Sequence, residues 1–115
     1  MDLFAEYMKE REGCETLVTK DGFVTAKVVK DNNDNNVLFI NDFFIKGEAR
    51  RKRSSAIKLF NQTKNTALKL DCKKIQAIIY ANTLNATESL KANLYYGFKL
   101  VAAHEDKIYV EIELQ

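Results

Sequence analysis

Two hydrophobic periods run through this chain, and the places where one gives way to the other outline its elements. Residues 2–11 set Leu3, Phe4, Tyr7, Met8 and Arg11 at i, i+3, i+4 spacing behind Asp2 as cap, which predicts a short amphipathic helix ended by Gly13. Residues 14–18 read as a strand. Lys20-Asp21-Gly22 is a hairpin turn signal, and 23–29, rich in β-branched residues, forms the return strand. The polar stretch 31–36 favours turns and leads into 37–45, a run apolar on both faces that should be a central strand. From about Ser54 to Leu70 the period changes to 3.6, with Ala56, Leu59, Phe60, Thr63, Ala67 and Leu70 on one stripe. A buried strand over 74–80 follows, then a loop, then a helix over 86–96 with Leu90 and Leu94 inward and Gly97 as its left-handed C′ residue. Strands near 98–102 and 107–114 flank a turn at His104-Glu105-Asp106, and the alternation of Ile108, Val110, Ile112 and Leu114 leaves one face of the last strand to solvent. The order is α-β-β-β-α-β-α-β-β, without repeat or linker, so residues 1–115 are expected to form a single domain.

Composition adds little beyond an ordinary globular chain, with 46% apolar and 30% charged residues. A net charge of +2 argues against a nucleic-acid partner, and no nucleic-acid motif is present. Arg50-Arg51-Lys52-Arg53 is nevertheless a focused cationic patch. Cys14 and Cys72 match no metal-ligand spacing, and with His104 the sole histidine a zinc site is not expected. Cys72 lacks a base partner in sequence and reads as packing, and His104 as a solvated turn residue. Reduced thiols, no basic leader and no apolar stretch of membrane-spanning length make a cytoplasmic location and no membrane contact the expectation.

The most informative segment is Arg51-Lys52-Arg53-Ser54-Ser55-Ala56, between the long apolar strand and the helix. Orphan N–H groups, the helix dipole and adjacent cations suit a phosphorylated ligand, while a solvated basic turn is the plainer reading of the same residues. Here the chain resembles the GNAT superfamily of N-acetyltransferases. That family's acetyl-coenzyme A motif, R/Q-x-x-G-x-G/A, follows a long central strand, and residues 51–56 stand in its place. Aligning on Arg51 keeps Leu59, Thr63 and Ala67 on the buried stripe, whereas aligning on Arg50 would turn Lys58 inward. Asn85, then Ser89-Leu90-Lys91-Ala92-Asn93-Leu94-Tyr95-Tyr96-Gly97-Phe98, is similar to the family's second hallmark: an Asn, a short helix and a Gly-Phe ending. The similarity extends from residue 14 to nearly the end, with abbreviated first-half elements.

The resemblance implies an α/β (α+β) fold with a mixed, mostly antiparallel central sheet and helices on both faces. It implies acetyl-CoA as co-substrate and an amine-bearing small molecule or protein as acceptor, attacking the thioester directly in a ternary complex. Backbone groups of Phe44, Ile45 and Lys46 would pair with the pantetheine arm, one N–H holding the oxyanion. The N–H groups of Arg53, Ser54, Ser55 and Ala56 would bind the pyrophosphate with the Arg51 and Lys52 side chains. Asn85, or second to it Asn82, would bond the cofactor near its thiol end. Ser54 replaces a usual glycine, and Asn93 stands where many members carry the tyrosine that protonates the thiolate. Tyr96, one turn on, is the substitute acid, ahead of Tyr95; a core role with its hydroxyl at the rim is equally consistent. No motif marks the base: Asp42, among apolar neighbours whose burial would strengthen it, leads Glu48 and water, and a structural aspartate fits as well. The loop 31–36 and the first helix are candidate acceptor walls. Monomer and homodimer are both open. A catalytically weak acetyl-CoA-binding module acting through protein interaction is the alternative.

Overall fold

The computed structural model describes residues 3–50, 53–84 and 86–114. Along the chain come α1 (Leu3–Glu12), β1 (Glu15–Val18), β2 (Gly22–Lys30), β3 (Asn36–Ile45), a 3₁₀ turn (Gly47–Ala49), α2 (Arg53–Lys69), β4 (Cys72–Tyr80), α3 (Ala86–Tyr95), β5 (Lys99–His104) and β6 (Lys107–Glu113). The strands form one six-stranded sheet in the order β1-β2-β3-β4-β6-β5. Only the central β3–β4 pair is parallel; the other pairs are antiparallel. The sheet is thus mixed and mostly antiparallel, as expected.

The core lies between one sheet face and α2. Leu59, Phe60, Thr63 and Ala67 are buried along that helix, and Lys58 points outward, so the helix sits in the register that the Arg51 alignment requires. Thr63 is tolerated among them because its hydroxyl donates to the Leu59 carbonyl at 2.8 Å, leaving no unmet polar group. Facing it are Leu38, Ile40 and Ile45 of β3, Val24 and Ala26 of β2, Ile75 and Ile79 of β4, and Val110 of β6. The other helices divide between the faces. Tyr96, just after α3, stacks on Phe60 with ring centroids 4.9 Å apart, placing α3 on the same face as α2. Phe4 of α1 meets Phe23 of β2 edge-on at 6.1 Å, and Phe23 alternates with core-facing Val24, so α1 lies on the opposite face.

Two glycines are required by geometry. Gly22 pairs with Ile45 so closely that an added Cβ would lie 2.0 Å from the Phe44 carbonyl oxygen. Gly97 has φ 102°; with it in place Phe98 N–H donates to the Asn93 carbonyl and Gly97 N–H to the Leu94 carbonyl, the paired bonds that close a helix before a left-handed residue. The first helix departs from expectation. No residue of α1 is fully buried and Leu3 remains 80% exposed, because the helix overlies only the β1–β2 end of the sheet. Asp2, its expected cap, lies outside the described residues.

Candidate functional site

Pairing between the two parallel strands ends early. The β3–β4 ladder runs from Asn36↔Cys72 to Ile40↔Ala77, yet β3 continues to Ile45 and β4 to Tyr80. Beyond Ile40 and Ala77, β3 stays with β2 and β4 stays with β6, so the sheet divides along its centre. The β2–β3 register also shifts between Thr25/Asp42 and Ala26/Ile40, a bulge that leaves Asn41 unmatched and bends β3 at the start of the division. A crevice at the carboxyl ends of adjacent parallel strands is where open α/β sheets bind ligands.

The strand edge facing that crevice follows from one hydrogen bond. Lys46 N–H donates to the Asp21 carbonyl at 2.8 Å, toward β2. The trans peptide therefore turns the Ile45 carbonyl the other way, and ladder alternation does the same for the Ile45 N–H and for both backbone groups of Phe43. Of the three residues expected to pair with a pantetheine arm, Ile45 is the one whose groups face the gap. Phe44 is directed at its partner Phe23, and the Lys46 amide is committed to the hairpin. Phe43 joins Ile45 on the open edge; strict alternation from the committed Lys46 amide is the signal that finds it.

Arg53 opens α2, so Arg53, Ser54, Ser55 and Ala56 hold the four N-terminal amides that have no partner within the helix. Arg53 and Ser54 are exposed. The Arg53 guanidinium lies 4.7 Å from the Tyr95 ring centroid, bringing the end of α3 against the start of α2. Arg51, Lys52 and Asn85 fall outside the described residues.

A carboxylate that sequence reading took only as a turn residue locks this region. Asp21 accepts a hydrogen bond from the Ser55 hydroxyl at 2.8 Å, lies 3.5 Å from Lys46 Nζ, and receives the Lys46 amide on its carbonyl. One residue thus ties the β1–β2 turn, the end of β3 and the first turn of α2, where the helix dipole favours a negative charge. The Ser55 bond, opposed by partial burial and aided by Lys46 and Lys20, holds the Asp21 carboxyl below the usual aspartate range. Because the folded state then binds this proton less readily than the unfolded chain, the contact stabilises the fold above the ordinary aspartate value and is lost as pH falls through the lower, folded one. Asp21→Asn is expected to flatten the fall of Tm below about pH 4; a melting series between neutral and strongly acidic pH checks it.

The two candidate proton carriers occupy opposite faces. Asp42 is exposed on the α1 side, its Oδ2 accepting from Thr25 at 2.7 Å. The burial expected of Asp42 is therefore not found: the bulge and the end of the β3–β4 ladder open Asn41, Asp42 and Phe44 to solvent where an intact central strand would be covered. Tyr96 is half-buried on the α2 side, and burial chiefly, set against the nearby Arg53 charge, pushes its hydroxyl pKa up. Asn93 spends its amide on the Ser89 carbonyl of its own helix at 2.7 Å.

Other candidates are accounted for locally. Cys72 is buried at the head of β4 and its thiol is pushed up by burial and by Asp71. His104 is exposed at the end of β5, 3.8 Å from Glu105. Glu48 lies 3.4 Å from Lys46. In the 31–36 loop, Asp31 Oδ1 accepts the Asn33 and Asn35 amides, both at 2.9 Å, which holds that turn by itself. No cluster of metal-binding side chains occurs among the described residues, and no helix among them is long and apolar enough to cross a membrane.

No protein-family model matches the sequence, and no curated protein matches it. Solved structures do match. Arabidopsis thaliana NAA60 in complex with acetyl-CoA is 17% identical with a TM-score of 0.64, over 80% of this chain and 64% of that one. The yncA structure from Salmonella typhimurium with its cofactor acetyl-CoA gives a TM-score of 0.71 at 13% identity, over 96% and 71% of the two chains. A GNAT-family acetyltransferase from Listeria monocytogenes gives 0.62 at 9%, over 81% and 57%. This chain therefore spans less than two thirds of the NAA60 length. At such identities the likeness fixes the fold, which is the GNAT fold.

Proposed function

We propose that this chain binds acetyl-CoA in the crevice between β3 and β4 and transfers the acetyl group to a primary amine. The observation that carries this reading is the early end of the β3–β4 ladder, with the orphan amides of α2 at its mouth. A fold alone does not name a reaction; a ligand-sized opening beside an anion-binding helix start narrows it.

Each residue then has a defined task. Amides of Arg53 to Ala56 take the diphosphate oxygens, assisted by Arg51 and Lys52, and Asn85 bonds the arm near its thiol end. The backbone of Phe43 and Ile45 takes the pantetheine amides as an added strand would, and the Ile45 N–H, facing the gap, holds the oxyanion that develops on the thioester carbonyl. The acceptor nitrogen approaches on the Asp42 side and gives up its proton to that carboxylate as it attacks. Tyr96, on the other side, protonates the departing thiolate; its raised pKa keeps the hydroxyl protonated at neutral pH. Attack from one face and departure toward the other need no rearrangement of the sheet. An open apolar depression of about 280 Å³, lined by Phe39, Gln76, Val101 and Tyr109 among others, lies on the Asp42 face at the foot of the division and offers room for the acceptor's carbon skeleton.

Thermal stabilisation tests the proposal. Acetyl-CoA at 100 times its Kd should add about 2.7 kcal/mol, raising Tm by about 10 °C for a domain of this size. Release of free coenzyme A thiol on adding amines should follow. An unchanged melting curve at millimolar acetyl-CoA rules the reading out; a shift without thiol release across a broad amine panel reduces it to a binding module.

A further inference from the structure

Arg50 occupies the strand edge that the proposed thioester arm needs. Its Nε donates to the Ile45 carbonyl at 2.7 Å, and its guanidinium carbon lies 5.4 Å from the Phe44 ring centroid. That carbonyl points into the division between β3 and β4. An arginine over an aromatic face with a neutral acceptor on its Nε has no carboxylate partner in the ion pairs among the described residues. The residue is exposed, closes the 3₁₀ turn after β3, and stands three positions before the first residue of α2. Its long side chain can therefore serve either the strand end or the helix start.

We propose that Arg50 is an exchangeable stopper of the cleft, which gives the Ile45 carbonyl to an incoming pantetheine amide and moves its guanidinium to the diphosphate of the same ligand. The inference rests on the acetyl-CoA reading of the cleft. The exchange conserves hydrogen bonds: a guanidinium–carbonyl bond is replaced by an amide–carbonyl bond, and the guanidinium gains an anionic partner, which it matches better than a neutral carbonyl. Its consequence is selectivity. A ligand bearing both arm and diphosphate recovers what it displaces, whereas an arm without phosphates must break the Arg50 bond and offers nothing in return.

The experiment compares acetyl-CoA with S-acetylpantetheine, which lacks the diphosphate, by calorimetric titration of the whole chain and its Arg50→Ala and Arg50→Met variants. The methionine keeps the stem against Phe44 and removes both donor and charge. In both variants the Kd for acetyl-CoA should rise about tenfold or more and the Kd for S-acetylpantetheine should fall severalfold, these being the scales of a charge-assisted and a neutral hydrogen bond. Opposite signs for the two ligands support the exchange. Parallel weakening, or no gain in S-acetylpantetheine binding over the unsubstituted chain, overturns it while leaving the acetyl-CoA reading in place. Failure of the unsubstituted chain to bind acetyl-CoA removes that reading, and this inference with it.

Discussion

Asp42→Asn is expected to lower turnover of amine acceptors about 100-fold while leaving acetyl-CoA affinity unchanged. The substitution is chosen because asparagine keeps an oxygen to accept from Thr25, which now donates at 2.7 Å, so the β2–β3 bulge survives. What is lost is the ability to take a proton. The magnitude sits at the low end of general acid–base contributions because the carboxylate is exposed, and solvent competes for its task. Tyr96→Phe supplies the partner result. Phenylalanine retains the stack on Phe60, so a loss confined to kcat implicates the hydroxyl in protonating the leaving thiolate, whereas a loss of Tm with kcat intact assigns the ring to packing. Unaltered kcat/KM in Asp42→Asn would leave Asp42 as a fastener of the bulge and hand proton removal to water.

Leu59→Ala should be the most damaging single change to stability. Leu59 is fully buried, carries the α2 stripe onto the sheet and belongs to the core cluster with Leu38 and Ile75. Truncation forfeits the transfer free energy of its branched end and leaves a void the backbone cannot close, about 3 kcal/mol and within the 2–5 kcal/mol usual for such sites. Against a total of about 5–15 kcal/mol for a domain, that is a large share. Urea denaturation should show a lower midpoint with an unchanged slope. The effect extends to function, since α2 aims its orphan amides through this contact; a loss below about 1 kcal/mol would mean that the helix is held elsewhere.

Much of this architecture was legible because periodicity reports burial. The stripe at Leu59, Phe60, Thr63 and Ala67 placed α2 and decided between Arg50 and Arg51 as the motif's start, and the outward Lys58 agrees. Gly97 declared the end of α3 because few other residues adopt φ near +100°. The first helix misled: its apolar spacing is genuine, yet spacing cannot say how much sheet lies beneath, and Leu3 remains largely exposed. Asp42 failed for a related reason. Apolar neighbours in sequence imply burial only if both flanking strands continue, and the ladder to β4 stops at Ile40. Asp21 and the Arg50–Ile45 bond were invisible, since each joins elements whose proximity is set by tertiary geometry. Direct readings of Arg51, Lys52 and Asn85 fall on residues outside those described.

The short parallel seam also has a kinetic meaning. On one side of it lie β1, β2 and β3, contiguous in sequence and joined by tight turns; on the other lie β4, β5 and β6, equally local to one another. Each half can form early from short-range contacts, while register between the halves waits on a few residues, 36–40 against 72–77, and on α2 as the bridge. Assembly should therefore end with the docking of two preformed arms, and substitutions along the seam should slow folding more than equal losses at either outer edge.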